Sequence, residues 1–482
     1  MLLIALLTVP LMLSLISLFN RRSKASGIIN AAGYAVILLC ALRLTAAPAP
    51  VALFNFLYAD ALSVYFILVI AVINFASALY SIGYIEDDRR RNIISARKSS
   101  IYYMLFNLFS FTMFLVPMLN NLGMVWVAIE LTTLTSAFLV GFYNDKQSVE
   151  AAWKYVVVCS VGIALALFGT ILFYYTASLH GGVRSLNWTD IVAVASKLDP
   201  QIVKIAFIFI LVGYGTKAGL APMHTWLPDA HSQALAPISA LLSGVLLKTS
   251  VYAILRFVIV VNKTVGPHYT GNLLTIIGLL SMGIAAGFIL VQKDIKRLLA
   301  YSSIEHVGVI AVGLGLGGPA GCFGALLHVF NHAATKSLMF FGAGKIVKTY
   351  GTHNMRKIRG VIQAMPFVGF FVILGAFALG GSPPFSLFVS EIIILTSGFT
   401  QGAYLSSVLF LVFAVVVFGG LIFQFSRVIF DRKPDEVPVV AEPLTGKLSF
   451  LFLFALIAVL GLIIPAPLNR IITKAVEVIN GI

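Results

Sequence analysis

The chain has 482 residues, of which 60% are hydrophobic and only 11% are charged. Soluble globular domains carry about 25% charged residues, so the composition excludes a soluble protein and predicts a polytopic membrane protein. Lysine and arginine outnumber aspartate and glutamate by 33 to 18, which gives a net charge of +15. No basic segment is paired with an aromatic reading surface, so we assign the excess charge to cytoplasmic loops and expect no nucleic-acid binding.

The N-terminal apolar stretch 1–19 has no basic residue before it, and Arg21, Arg22 and Lys24 follow it. This order predicts a first transmembrane helix rather than a cleaved signal peptide. The three cysteines of the chain lie singly in apolar runs, and none forms a CxxC pair. We therefore expect neither iron–sulfur ligation nor a disulfide framework.

Apolar runs that could cross a bilayer recur about 14 times, each near the roughly 20 residues that a spanning helix requires. They lie near 1–19, 27–46, 60–82, 101–119, 121–142, 153–176, 202–222, 236–261, 271–291, 297–316, 320–344, 363–399, 404–427 and 446–465. Gly219 and Pro222 end the seventh run early, and the segment 380–384 (GGSPP) interrupts the twelfth. The sequence thus predicts an all-α polytopic membrane protein, one integral membrane domain over 1–482, with two broken helices.

Basic residues concentrate in alternate loops between these spans. The loops that are rich in basic residues contain Arg21, Arg22, Lys24, Arg89, Arg90, Arg91, Arg97, Lys98, Lys293, Lys296, Arg297, Lys345, Lys348, Arg356, Lys357, Arg359, Arg432 and Lys433. The positive-inside rule then puts these loops in the cytoplasm and both termini outside. The charged run Glu86–Arg91 is expected to be a solvated loop.

The broken spans are the seventh and the twelfth, five spans apart. Because five is odd, two copies of a repeat that contains them would be inverted in the membrane, as in transporters whose discontinuous helices meet at the transport site. Topology alone therefore predicts repeat halves near 101–261 and 271–427. No sequence identity between the halves is visible.

Several ionisable residues lie inside the apolar runs, where a lysine costs about 3 kcal/mol on insertion scales. In chain order they are Glu130, Lys217, Lys248, His306, His328, His332, Lys336 and Glu391. Lys248 lies between SALLSGVLL and TSVYAIL, too near the middle of its span to reach an interface easily. A buried carboxylate–lysine pair that forms and separates can switch a lysine between holding and releasing a proton, and histidine needs little tuning for such a relay. The series predicts an ion or proton pathway.

Structural roles are the alternative for some of these residues. Glu130 could simply pair with Lys217 or with a backbone group. His328, His332 and Lys336 recur at i, i+4 and i+8, so they form one helical stripe that either packs or lines a wet channel. The spacing of His328 and His332 also suits a metal ion, but no H-E-x-x-H pattern and no nearby thiolate completes a site, so no metal is expected.

Three further polar residues follow the break in the seventh span: His224, Asp229 and His231. The predicted topology puts them at the cytoplasmic mouth of the protein. There they are candidates for proton uptake, although ordinary capping of a loop explains them equally well.

Four segments together resemble one known family. GTKAGLAPMHTWLPDAHSQALAPISALLSGVLLKTSVYAILR, QKDIKRLLAYSSIEHVGVI, LLHVFNHAATKSLMFFGAGKI and WVAIELTTLTSAFLVGFYN look like the signatures of the antiporter-like subunits of complex I, Mrp antiporters and membrane-bound hydrogenases. The resemblance covers almost the whole chain. GTHNMRKIRG and the compact length are most similar to the component F subunits of hydrogenase-4, which belong to formate hydrogenlyase-type group 4 complexes.

The resemblance implies roles at matching positions. Glu130 and Lys217 match an ion pair, Lys248 matches a central lysine, His306 and His328 match the polar link that follows, and Glu391 matches the terminal group. It implies a proton-translocating or Na+/H+-exchanging subunit of a respiratory redox complex in a prokaryotic cell membrane.

The resemblance also implies that this chain carries no catalytic residue, flavin, iron–sulfur cluster or nickel. The NiFe centre and the iron–sulfur clusters would belong to partner subunits. Expected partners are the other membrane subunits of the complex, a hydrogenase- or dehydrogenase-like peripheral arm, and the lipid bilayer.

Two other functions remain open: a subunit of a multi-subunit Na+/H+ antiporter without a redox partner, and the membrane partner of a zinc subunit in inorganic-carbon uptake. A scaffold that has lost transport is disfavoured, because buried charges without a use are costly. The neighbouring genes would separate these alternatives.

Overall fold

The computed structural model describes residues 1–47 and 50–481, so positions 48, 49 and 482 of the predicted domain lie outside it. Within the described residues the chain forms helices and one short hairpin. The first part of the chain comprises α1 (Leu2–Phe19), α2 (Ser23–Ala46), β1 (Val51–Leu53), β2 (Leu57–Ala59), α3 (Ala61–Arg90), α4 (Ala96–Leu115), α5 (Leu122–Val140), α6 (Lys146–Leu179), α7 (Trp188–Ala193), α8 (Pro200–Ala218), α9 (Trp226–Gln233), α10 (Ala236–Leu241) and α11 (Leu247–Thr264). The remainder comprises α12 (Pro267–Val291), α13 (Ile295–Leu316), α14 (Gly318–Tyr350), α15 (Val361–Ala364), α16 (Pro366–Leu379), α17 (Ser386–Thr400), α18 (Tyr404–Phe430), α19 (Leu444–Leu462) and α20 (Ala466–Asn480).

The predicted all-α polytopic membrane fold is confirmed. Twelve helices in the described part of the chain are long and apolar enough to cross a membrane. The two other predicted spans correspond to α14, which its glycines and ionisable residues make more polar, and to the pair α16 and α17, each of which is short. Hydropathy located the spans because each needs a long apolar stretch.

Both predicted helix breaks are present. Helix α8 ends at Ala218, and Gly219 follows in the left-handed region at φ +80°, where a glycine commonly terminates a helix. The second break separates α16 from α17 and contains Gly381 at φ +71°. The two breaks fall one in each predicted repeat half, and the halves themselves stay a prediction.

A third irregularity was not predicted. Helices α10 and α11 continue through a π-helical segment, Leu242–Leu246, which ends two residues before Lys248. The combined helix Ala236–Thr264 is buried along its apolar length, so it forms the centre of the bundle. A π-segment changes which side chains face each neighbouring helix, and such segments are frequent at functional sites.

The prediction that Glu86–Arg91 is a solvated loop is wrong. Helix α3 continues to Arg90, and the side chain of Asp88 is buried. Lys348 Nζ lies 2.7 Å from Asp88 Oδ1, and the Tyr143 hydroxyl donates to Asp88 Oδ2 at 2.8 Å. The helix extends past its apolar stretch because this buried ion pair compensates the carboxylate.

The chain also forms a helix after the last predicted span. Helix α20 buries one face, which includes Leu468, Ile472 and Ala475, and it packs against α3 and α14. The spacing of these residues is that of an amphipathic helix.

Candidate functional site

The first group of buried polar residues surrounds Lys217 at the end of α8. Lys217 Nζ donates to Thr133 Oγ1 at 2.7 Å and to the Tyr155 hydroxyl at 2.6 Å. Thr133 Oγ1 in turn donates to Glu130 Oε2 at 3.3 Å, and Ser160 Oγ donates to Glu130 Oε1 at 2.8 Å. Helices α5, α6 and α8 therefore each contribute to one hydrogen-bonded cluster.

Glu130 and Lys217 are not in direct contact. Among the residues described, no carboxylate lies within 4.0 Å of Lys217 Nζ, and the hydroxyl of Thr133 lies between the two charges. The resemblance implied an ion pair, and the structure shows a pair joined through Thr133. Lys217 is fully buried whereas Glu130 is half-buried.

The second group begins at Lys248, which is 1% exposed at the centre of the bundle. Its Nζ donates to the backbone carbonyl of Ser243 within the π-segment and lies 2.5 Å from His332 Nδ1. His332 is on α14, so this contact connects the two predicted halves. No hydrogen bond within the described chain involves His332 Nε2.

Two further histidines continue from His332. The rings of His306 and His332 have centroids 4.7 Å apart. His306 Nδ1 lies 3.1 Å from His328 Nε2, and His328 Nδ1 lies 2.9 Å from Ser390 Oγ on α17. His306 Nε2 contacts the carbonyl of Leu379 at 3.1 Å, the last residue of α16. The break between α16 and α17 thus provides an acceptor for the relay, because the last carbonyls of a helix have no intrahelical partner.

The terminal group, Glu391, lies beside this histidine pair. His306, His328 and Glu391 can each offer one metal-ligating atom, and these three atoms lie within 4.8 Å of one another. These three residues are the ones in the described chain that could hold a metal ion. A β-carbon at Gly381 would collide with Glu391 Oε2, so the carboxylate rests against the broken segment.

Lys336 lies outside this series of contacts. Its Nζ donates to the Leu299 carbonyl at 2.6 Å and to the Ser302 hydroxyl, both on α13. His328, His332 and Lys336 share one stripe of α14, as predicted, but only the two histidines contact the relay directly.

The three candidates for proton uptake have different surroundings. Asp229 lies in a polar cleft of about 640 Å³, where Arg297 NH2 lies 2.6 Å and Lys154 Nζ 3.5 Å from its carboxylate. His224 is 7% exposed and His231 is fully buried, with its ring stacked on Phe340 at 4.9 Å. Neither ring nitrogen of His231 forms a hydrogen bond to a described residue. The three residues do not form one hydrogen-bonded group.

A buried ion pair on α11 was not predicted from the sequence. Arg256 donates to both carboxylate oxygens of Asp60, at 2.6 and 2.7 Å, and to the hydroxyls of Ser63 and Tyr252 at 2.7 and 2.9 Å. The Trp188 ring packs 4.3 Å from the guanidinium. Both charged groups form hydrogen bonds to other side chains, so we assign this ion pair a structural role. The sequence did contain a signal for this pair, because Arg256 lies only eight residues after Lys248 in the same apolar run.

Comparison with known proteins identifies the family. The family model described as NADH:quinone oxidoreductase/Mrp antiporter, TM, matches residues 119–418, and that described as NADH-ubiquinone oxidoreductase (complex I), chain 5 N-terminus, matches residues 54–92. A hydrogenase-4 component F homolog of Methylacidiphilum infernorum is 40% identical over 404 residues, which cover 83% of this chain and 85% of that protein. Hydrogenase-4 component B of Escherichia coli is 32% identical over 69% of this chain, but the match spans only 49% of that longer protein.

A solved structure has the same fold. In the membrane-bound sulfane sulfur reductase, an archaeal respiratory membrane complex, one chain is 25% identical to this chain. The TM-score is 0.86, and the superposition covers 99% of this chain and 98% of that one. The resemblance predicted from the sequence is confirmed. The chain belongs to the NADH:quinone oxidoreductase/Mrp antiporter transmembrane family and is an antiporter-like, multi-pass membrane subunit of the kind found in respiratory complexes.

Proposed function

We propose that this chain is the proton-translocating subunit of a respiratory redox complex of the group 4 NiFe hydrogenase or formate hydrogenlyase type. The main support is the series of buried contacts from Lys248 through His332, His306 and His328 toward Glu391. Buried ionisable residues in a membrane protein mark ion pathways, because their desolvation is costly. Similarity to a hydrogenase-4 component F homolog supports the type of complex.

In the proposed pathway, protons reach the interior from the cleft beside Asp229 and pass His231. Lys248 then holds the proton and hands it to His332 Nδ1, its neighbour at 2.5 Å. The facing nitrogens of His306 and His328 carry it toward Glu391. Glu130 and Lys217 act on this transfer by electrostatics, since the charge of Lys217 depends on its hydrogen bonds to Thr133 and Tyr155.

Partner subunits complete the proposed complex. This chain contains no CxxC pair, so the NiFe centre and the iron–sulfur clusters are assigned to a peripheral arm and its connecting subunits. Other membrane subunits are expected beside it. The basic loops assign both termini to the outside of a prokaryotic cell membrane.

The test is Lys248→Met in the assembled complex, reconstituted in proteoliposomes. Methionine keeps most of the side-chain volume but cannot carry a proton. We expect proton flux to be lost and the complex to remain assembled. Lys263→Met is the matched control, because Lys263 is an exposed lysine at the end of the same helix. Normal flux in the Lys248 variant would contradict the pathway.

The alternative of a Na+/H+ antiporter is tested with the same vesicles. With an inward Na+ gradient and no electron donor, the proposed function predicts no proton movement. Proton efflux driven by Na+ alone would support the antiporter instead.

A further inference from the structure

We propose that His306, His328 and Glu391 form a binding site for a borderline divalent metal ion such as Zn2+. The ligand atoms would be His306 Nδ1, His328 Nε2 and one carboxylate oxygen of Glu391. The proposal concerns binding itself. Only its consequence, a block of proton transfer, depends on the function proposed above.

The two histidine nitrogens already have nearly the spacing that a metal ion requires. They are 3.1 Å apart. Two nitrogens bound to one tetrahedral Zn2+ at about 2.0–2.1 Å are separated by about 3.3 Å. Each ring therefore needs to move by only about 0.1 Å. One nitrogen of each ring and one Glu391 oxygen lie within 4.8 Å of one another, so the carboxylate must also move closer to bind the same ion.

The outer nitrogens of both rings are held as they are in metal sites. Metal-bound histidines usually donate their second N–H to a carbonyl, carboxylate or water, which fixes the tautomer. His306 Nε2 contacts the Leu379 carbonyl, which can only accept, so the neutral ring presents a lone pair at Nδ1. His328 Nδ1 contacts Ser390 Oγ at 2.9 Å.

The hydrogen bonds of Ser390 restrict the tautomer of His328. Ser390 has one hydroxyl hydrogen, and its oxygen lies 2.9 Å from the Leu387 carbonyl, which can only accept. The amide nitrogen of Asn331 donates to the same oxygen at 3.4 Å. When the hydroxyl hydrogen points to Leu387, His328 Nδ1 must carry its own hydrogen, and lone pairs of both rings then face each other. A cation between the rings, a proton or a metal ion, makes that arrangement favourable.

Two carboxylates beside the histidines add negative charge. Glu305 is 2% exposed, and its Oε2 lies 3.2 Å from His306 Nδ1 without a hydrogen bond to any described residue. Glu391 is half-buried next to Gly381, and the neighbouring Pro383 and Pro384 are exposed. A divalent cation bound to the two histidines would interact favourably with these carboxylates in their ionised form.

A bound ion would stop proton transfer in two ways. It would occupy the two nitrogens that face each other in the relay. It would also place a fixed positive charge close to His332, whose Nδ1 lies 2.5 Å from Lys248 Nζ, and so repel a proton that moves from Lys248 toward the histidines.

The test uses the purified complex and two metal ions alone, Zn2+ and Co2+. We expect one Co2+ per chain with a tetrahedral absorption spectrum, displaced by Zn2+, and inhibition of proton flux by Zn2+ at the same occupancy. His306→Gln and His328→Gln should abolish both signals. Ser390→Ala, which removes the orienting partner of His328 and leaves the proposed ligands in place, should weaken binding by about 10–100-fold. His328→Cys should bind again but prefer Cd2+, because a thiolate is a softer ligand.

His268→Gln is the control for adventitious binding, because His268 is an exposed histidine away from this group. It should leave binding unchanged. Absence of stoichiometric Co2+ binding, or binding that persists in both histidine variants, would overturn the site. If the complex moves no protons at all, the Co2+ spectrum still decides on the site, so failure of the proposed function and failure of this inference are distinguishable.

Discussion

Thr133→Val should remove the hydrogen-bonded connection between Glu130 and Lys217 without removing either charge. Valine has nearly the shape of threonine but lacks the hydroxyl that joins the two residues. The two hydrogen bonds put Lys217 Nζ within about 6 Å of Glu130 Oε2. At an effective dielectric constant of about 20, unit charges at that distance interact by roughly 2.8 kcal/mol. This energy corresponds to about a 100-fold change in the balance between charge states, which is enough to control a proton relay.

The size of the expected effect follows from the lost hydrogen bond. A hydrogen bond to a charged group contributes about 1.5–3 kcal/mol, so the charged form of Lys217 should be disfavoured by about 10–100-fold. We expect proton flux to fall by about the same factor. The measurement is the initial rate of proton movement in proteoliposomes, divided by the amount of assembled complex.

Thr135→Val is the matched control on the same helix. The Thr135 hydroxyl donates only to backbone carbonyls, those of Leu131 at 2.9 Å and Thr132 at 3.3 Å. It should therefore leave flux unchanged. Glu130→Gln also removes the through-space charge interaction that Thr133→Val leaves in place, so adding it to Thr133→Val should lower the flux further. Wild-type flux in Thr133→Val, or an equal loss in the control, would refute the reasoning.

The remaining predictions concern assembly, stability and orientation. Combining Glu130→Gln with Lys217→Met should restore the assembly that either single variant loses but not proton flux, because no titrating group remains. Assembled complex and proton flux are measured separately, and recovery of both would show that the pair has only a structural role. Arg256→Gln should destabilise the protein by about 3–5 kcal/mol in thermal unfolding because it strands the Asp60 carboxylate, and adding Asp60→Asn should recover much of that loss. Burial would raise the pKa of Asp294, but the nearby ring of His353 and hydrogen bonds from the amides of Arg297 and Lys296 hold that pKa below its ordinary value. The stability that Asp294 contributes is thus present above about pH 3.9 and lost as the pH falls, and Asp294→Asn should flatten acid unfolding followed by fluorescence. A cysteine replacing Lys357 should resist an impermeant thiol reagent added outside intact cells, whereas one replacing Arg184 should react; the reverse pattern would invert the topology.

The sequence predicted the spans and the two helix breaks because their signals are local. A long apolar run reports a spanning helix, and glycine with proline reports a break. The π-segment has no such signal. Its sequence, LSGVL, reads as ordinary helix, and only packing of the central helix against its neighbours produces the extra residue in the turn.

The ionisable residues were predictable, but their connections were not. A charge inside an apolar run stands out in any sequence, whereas Thr133, Tyr155 and Ser390 are common helical residues. Their roles depend on which helices pack together, here α5 with α6 and α14 with α17. Asp88 was misassigned for a related reason, since its partner Lys348 is distant in sequence and the helix extends beyond its apolar part.

The irregular helices explain how this bundle holds ionisable groups without fixing their charge. Lys248 donates to a carbonyl in the π-segment, and His306 contacts a carbonyl at the end of α16. A carbonyl accepts a hydrogen bond from a lysine or histidine in either protonation state, because both states retain an N–H. A carboxylate partner would instead favour the charged state strongly. Arg256 has such a partner in Asp60 and is held as a fixed ion pair, whereas Lys248 has only the carbonyl and a neighbouring histidine. At Lys248 a backbone acceptor therefore orients the side chain without fixing its charge.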